Sequence, residues 1–112
     1  MDLVFANKKL QQLCESRRAL QRTHGQSCAR KIMGRLQDLE AAPSLEDMRS
    51  LPGGCHELTG DRAGQLAIRM SGGKRLILEP ARNPAPAKPD GGLDWTKVTA
   101  VRIVEILDYH RG

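Results

Sequence analysis

A chain of 112 residues has room for one domain with one core, and with a single Phe, Trp and Tyr that core must be aliphatic. No apolar run approaches the roughly 20 residues of a membrane span. Residues 1–10 lack the basic flank and apolar block of a secretory signal, so no membrane partner and a cytoplasmic location are expected. The formal net charge of +5 is uneven: residues 1–42 hold eight Lys and Arg against four Asp and Glu. Such a half suits a polyanion or an acidic protein partner, or forms only a solvated helical surface.

Leu3-Val4-Phe5 is a short apolar run and predicts a strand. Asn7 then caps a helix carrying Leu10, Leu13 and Cys14 at the i, i+3, i+4 spacing of one buried stripe. A polar stretch over residues 15–22 follows. Thr23 and Gln26 have the spacing of a capping box, and the helix after them lines up Ala29, Ile32, Met33, Leu36 and Leu39, with Arg30, Lys31, Arg35 and Asp38 off the stripe. Pro43 ends it, because the residue before a proline is pushed out of helical geometry. Ser44 with Asp47 starts one short helical turn that Pro52-Gly53-Gly54 closes.

From Cys55 the apolar period changes to two. Leu66, Ile68 and Met70 alternate with Ala67 and Arg69 as in a half-buried strand, after a turn over residues 59–64. Ser71-Gly72-Gly73 makes a hairpin turn into the strand Leu76-Ile77-Leu78. Residues 81–92, with three prolines and two glycines, predict a loop. Residues 98–107 are β-branched on both faces, which predicts an inner strand covered on both sides. The whole reads as a single α+β domain, 1–112, with an N-terminal strand and two helices packed on a mostly antiparallel sheet.

Cys14, Cys28 and Cys55 are odd in number and form no CxxC, so packed, reduced thiols are expected. His24, His56 and His110 lie far apart, and Gly53-Gly54 and Gly72-Gly73 lack the surroundings of a phosphate loop, so no metal and no cofactor is predicted. What remains is polar and near the sheet. Asp108-Tyr109-His110 ends the longest strand, His56 opens the first strand after the helices, and Arg75 opens the strand after the hairpin turn. A hairpin sheet can bring these points to one concave face. Histidine there suits proton transfer near neutrality, and arginine suits a phosphate. Taken singly, each is also an ordinary surface residue, and Asp61-Arg62 is also an ordinary turn.

The segment His56-Glu57-Leu58-Thr59-Gly60-Asp61-Arg62-Ala63-Gly64-Gln65 resembles the H-x-L-x-G-D-R-x-G-x segment of HigB toxins, the plasmid-maintenance killer proteins of the RelE/ParE superfamily. Arg75-Leu76-Ile77-Leu78 is similar to their W-R-I-x-F strand, and residues 104–110 to their V-x-I-V-D-Y-H terminus. Upstream, residues 36–42 and 45–48 resemble L-x-x-L-x-A-A and L-x-D-L/M. Thr59 stands where many relatives have Lys, and Lys74 where they have Trp. The resemblance implies a RelE/ParE fold, ribosome-dependent cleavage of messenger RNA, and neutralisation by a HigA-like helix-turn-helix antitoxin. It implies catalytic roles for His56, Arg75, Asp108, Tyr109 and His110. Lys8, Lys9, Arg30, Lys31, Arg62 and Lys74 are then candidate contacts to the 70S ribosome and its RNA. Two readings compete: a ParE-like inhibitor of DNA gyrase, and an inactive module that only binds its antitoxin. A paired His56 and His110 favours the ribonuclease.

Overall fold

A computed structural model describes residues 1–109 of the chain; His110 lies outside them. Strand β1 (Asp2–Phe5) leads into helices α1 (Lys8–Cys14), α2 (Arg17–His24) and α3 (Gln26–Ala41). Strands β2 (His56–Glu57), β3 (Leu66–Arg69), β4 (Lys74–Pro80) and β5 (Ala100–Asp108) follow. The five strands form one sheet in the order β1-β5-β4-β3-β2, parallel only between β1 and β5. The expected mixed sheet with one N-terminal strand and packed helices is therefore present.

Among the described residues, three α-helices form rather than two. Residues 17–24 form a helix although only Ala19 and Leu20 among them are apolar. Ser16 caps it by accepting from the Ala19 amide at 3.1 Å, and Leu20 is its one fully buried side chain. The expected capping box at Thr23 and Gln26 does not form. Thr23 lies inside α2, and Gly25, at φ +84°, makes the break before α3. Asn7 and Ser44 do cap as expected: Asn7 accepts from the Leu10 amide, and Ser44 and Asp47 cap each other's backbone.

One core joins helices and sheet. Cys28, Ala29, Ile32, Leu36 and Leu39 of α3 cluster with Leu66, Ile68, Leu76, Leu78, Val101 and Ile103. Val98, Trp95, Leu45 and Met48 close its lower end. The long loop is more ordered than its prolines suggest. Ala87 bridges Leu93, and the Lys88 amide donates to the Gly92 carbonyl at 2.7 Å. Trp95 anchors it: the indole is buried under the Arg49 guanidinium, 3.7 Å from its centroid, and donates to Glu57 Oε2 at 2.9 Å.

Strand β5 lies inside the sheet, but it is not covered on both faces. Val101 and Ile103 are fully buried, whereas residues 104–108 are half-buried. The reason is a bulge. Leu78 pairs with Ile103 and Ile77 with Glu105, so Val104 is an extra residue that reverses the parity of the strand. Ile103 before the bulge and Ile106 after it both turn to the helix side, where Ile106 faces Leu76 across the ladder.

Candidate functional site

Side chains of a strand alternate between faces, and residues directly paired across two strands share one. Leu66, Ile68, Leu76, Leu78 and Ile106 are thereby set against the helices. The other face takes His56, Ala67, Arg69, Arg75, Ile77, Glu105 and Leu107, followed by Tyr109. Among the described residues, no helix covers it. Ala67 and Ile77 are buried there and give it an apolar floor.

His56, Leu58, Ala67, Arg69, Arg75 and Tyr109 line an open concavity of about 330 Å³ on this face. Its polar groups are a histidine, two arginines and a phenol. Arg69 and Arg75 are direct cross-strand partners. Like charges set opposite one another repel, so the pair adds no stability of its own and offers two cations to an anion. Arg75 is braced by its own backbone: Nη1 donates to the Lys74 carbonyl at 3.0 Å and to the Gly72 carbonyl at 3.4 Å. Its guanidinium lies 5.6 Å from the centroid of the Tyr109 ring, within cation–π range. Tyr109 is half exposed, and its amide donates to the Gly73 carbonyl, which continues the β4–β5 ladder by one rung.

His56 is oriented by Gly53-Gly54. Its Nδ1 lies 2.9 Å from the Gly54 carbonyl. A carbonyl only accepts, so Nδ1 carries the hydrogen, and the neutral ring keeps the Nε2 lone pair available as a base. Gly53 is the more tightly constrained of the two. Gly53, at φ +109°, lies so close to Ile68 that any Cβ would collide with it; a Cβ on Gly54 would lie 2.7 Å from Arg69 Nη1. The Arg69 amide donates to the Gly53 carbonyl at 2.7 Å, and Arg35 Nε donates to the Arg69 carbonyl at 3.2 Å.

Beside the concavity, Arg62 donates to Glu105 Oε2 and to Gln65 Oε1, both at 2.8 Å. The bond to Glu105 holds the Arg62 guanidinium still more firmly protonated. Asp108 and Lys74 are paired in register on the helix face, behind Arg75 and Tyr109. Lys74 Nζ donates to Nδ1 of His24 at 3.1 Å. Lys8, Lys9, Arg30 and Lys31 are exposed on α1 and α3, and Arg30 joins Arg17 along a groove of about 300 Å³ between α2 and α3. The cysteines are free and buried. Burial pushes the Cys14 thiol up to about 11 and that of Cys55 to about 12, which suits packed thiols and not nucleophiles.

Of the five residues that the sequence motif grouped, the structure brings His56, Arg75 and Tyr109 to one concavity and puts Asp108 behind it. Arg69 and His24 had not been singled out. Arg69 had a signal: a turn centred on Gly72 pairs it with Arg75. His24 had none, since it meets Lys74 only through the tertiary fold.

No protein-family model matches the sequence, and no match is found among curated proteins. Among solved structures, the chain is similar to one described as a YoeB/ParE toxin from Agrobacterium tumefaciens. The TM-score is 0.59 over 97% of this chain and 99% of that one, at 14% sequence identity. The fold is that of the RelE/ParE toxins. At this identity the likeness concerns the backbone and not the site, whose chemistry rests on its own residues.

Proposed function

We propose that this chain is the toxin of a type II toxin–antitoxin pair and cleaves messenger RNA on the ribosome. One observation carries the reading: a histidine whose Nε2 makes no hydrogen bond among the described residues, two cross-strand arginines and an aromatic ring share one open concavity. RNA cleavage without an added nucleophile needs those groups. His56 Nε2 takes the 2′-hydroxyl proton as that oxygen attacks phosphorus. Arg75 and Arg69 hold the non-bridging oxygens as charge builds on them. The bond to the 5′-oxygen breaks, and His110, next after Tyr109, returns a proton to it. Tyr109 stacks on an unpaired base. The products are a 2′,3′-cyclic phosphate and a 5′-hydroxyl.

In the same reading, Lys8, Lys9, Arg30 and Lys31 dock ribosomal RNA from the helical side, away from the concavity. A HigA-like helix-turn-helix antitoxin neutralises the protein in the cytoplasm. Arg69 and Tyr109 favour the ribonuclease over a gyrase inhibitor, because a phosphate clamp beside a stacking ring matches single-stranded RNA. Induced expression with mapping of messenger 5′ ends tests this. Cuts inside translated codons support it. Growth arrest with intact messengers and inhibited gyrase overturns it. Binding to ribosomes is expected to fall steeply with salt and to weaken in Lys8→Glu/Lys9→Glu/Arg30→Glu.

A further inference from the structure

Behind the concavity, on the opposite face of the sheet, three polar groups meet at the last rung between β4 and β5. Lys74 and Asp108 are cross-strand partners, and Lys74 Nζ reaches Nδ1 of His24, the last residue of α2. Each strand residue immediately precedes a residue of the concavity: Lys74 precedes Arg75, and Asp108 precedes Tyr109. We propose that His24, Lys74 and Asp108 form a lock that positions Arg75 and Tyr109 from the far side of the sheet. This inference rests on the ribonuclease reading and assigns the three groups no contact with RNA.

Strand ends fray unless something ties them. Past Lys74 and Asp108, among the described residues, the Tyr109 amide continues the ladder, to the Gly73 carbonyl. The Lys74 carbonyl is also the acceptor that braces Arg75 at 3.0 Å. A shift of Lys74 therefore moves the guanidinium that holds the phosphate. An ammonium only donates, so the ring of His24 must be neutral with its hydrogen on Nε2. The charges around it agree. Burial lowers the His24 pKa from 6.5 first, the Lys74 ammonium lowers it further, and Asp108 partly offsets both. Lys9 of α1 lines the same cavity as His24, whereas the carboxylate of Glu105 is held by Arg62 on the opposite face of the sheet. Acid thus converts the acceptor into a second cation beside Lys74 and opens the lock.

Single-turnover cleavage on programmed ribosomes, with Arg75→Ala as control, tests the lock. Lys74→Met and His24→Ala are expected to lose roughly ten- to a hundredfold in rate at saturating ribosomes, the scale of a misplaced reacting group. Melting temperature is expected to hold, and saturating ribosomes remove any change in affinity from the rate. Lys74→Arg keeps a cation and restores the rate, and the double variant is no worse than the poorer single one. Tyr109 is the only tyrosine, so its ring resonances report the site without any activity. They shift in Lys74→Met and return in Lys74→Arg. Wild-type rates and unmoved resonances in both Lys74→Met and His24→Ala, with Arg75→Ala inactive, overturn the lock and leave the ribonuclease standing. Full activity of Arg75→Ala overturns the ribonuclease itself.

Discussion

The two faces of the sheet are built from alternate residues of the same strands, yet they differ in almost every physical property. On the helix side Leu66, Ile68, Leu76, Leu78 and Ile103 are completely buried in one aliphatic cluster. On the open side the neighbours of these residues are Arg69, Arg75 and Glu105, with His56 and Tyr109 at the rim. One face removes apolar surface from water and so contributes stability. The other buries only Ala67 and Ile77 as a floor and keeps like charges side by side above it. That contrast teaches where to look for function in a small domain: at the charged side chains that stand over a buried floor and add nothing to the core.

The contrast is broken most directly at the concavity. His56→Ala removes the imidazole of the concavity, and loss of a general base typically costs about 10²–10⁴-fold in rate. Arg75→Ala removes the braced guanidinium, and loss of one such donor costs about 10²–10³-fold. Both residues are exposed or half-exposed, so melting temperatures are expected to move little. Single-turnover cleavage paired with thermal melts checks both halves. A large loss of stability in either variant would mean that the open face also carries fold.

Next in size is the comparison within one strand. Ile68 is fully buried and Arg69 is exposed, one residue apart on β3. Ile68→Ala is expected to cost roughly 2–5 kcal/mol of stability, the range for a buried aliphatic side chain. Arg69→Ala is expected to melt like the wild type but to cleave poorly. Denaturant midpoints for the pair, set beside their cleavage rates, separate the two faces by a single step along the chain.

Most of this architecture was legible, and the failures have physical reasons. Helix α3 announces itself through a long apolar stripe and a proline stop, and β3 and β4 through their alternation and the glycine turn. Helix α2 does not, because it buries only Leu20 completely; its cap, Ser16 to the Ala19 amide, was a faint signal. Strand β5 looked apolar on both faces because Val101 and Ile103 have one parity and Val104 and Ile106 the other. The bulge at Val104 turns both sets toward the helices, and no short-range pattern reveals a bulge. At the site, His56, Arg75 and Tyr109 were legible from the motif. Asp108 was grouped with them as a neighbour in sequence, although alternation sends it to the other face. His24 joins Lys74 only once α2 has packed.

A smaller effect is expected at the hinge between the faces. Gly53 combines φ +109° with a position hard against Ile68, so it serves the core, while its carbonyl receives the Arg69 amide. Gly53→Ala must adopt a backbone conformation that side chains rarely tolerate, at about 1–3 kcal/mol, and the collision of its Cβ with Ile68 adds to that. Since Gly54 orients His56, activity is expected to fall further than that loss of stability explains. Melts and cleavage rates of this variant check whether one loop serves both faces.

The smallest effect is the most discriminating. Arg62 and Glu105 form an ion pair on the open face, with side chains 33% and 41% exposed. Water screens such a pair, so Glu105→Gln is expected to change stability by under about 1 kcal/mol. Its effect on RNA is expected to run the other way. The substitution removes a carboxylate on the open face and frees Arg62 from that partner. Binding of a single-stranded oligonucleotide is expected to tighten, with the salt dependence steepened by about one phosphate contact. Titrations at several salt concentrations check it. An unchanged slope would make Arg62 a brace for the 59–64 turn, through Gln65 and Glu105, and would confine the anion site to Arg69 and Arg75. A steeper slope would extend the electropositive face along the sheet from Arg69 and Arg75 to Arg62.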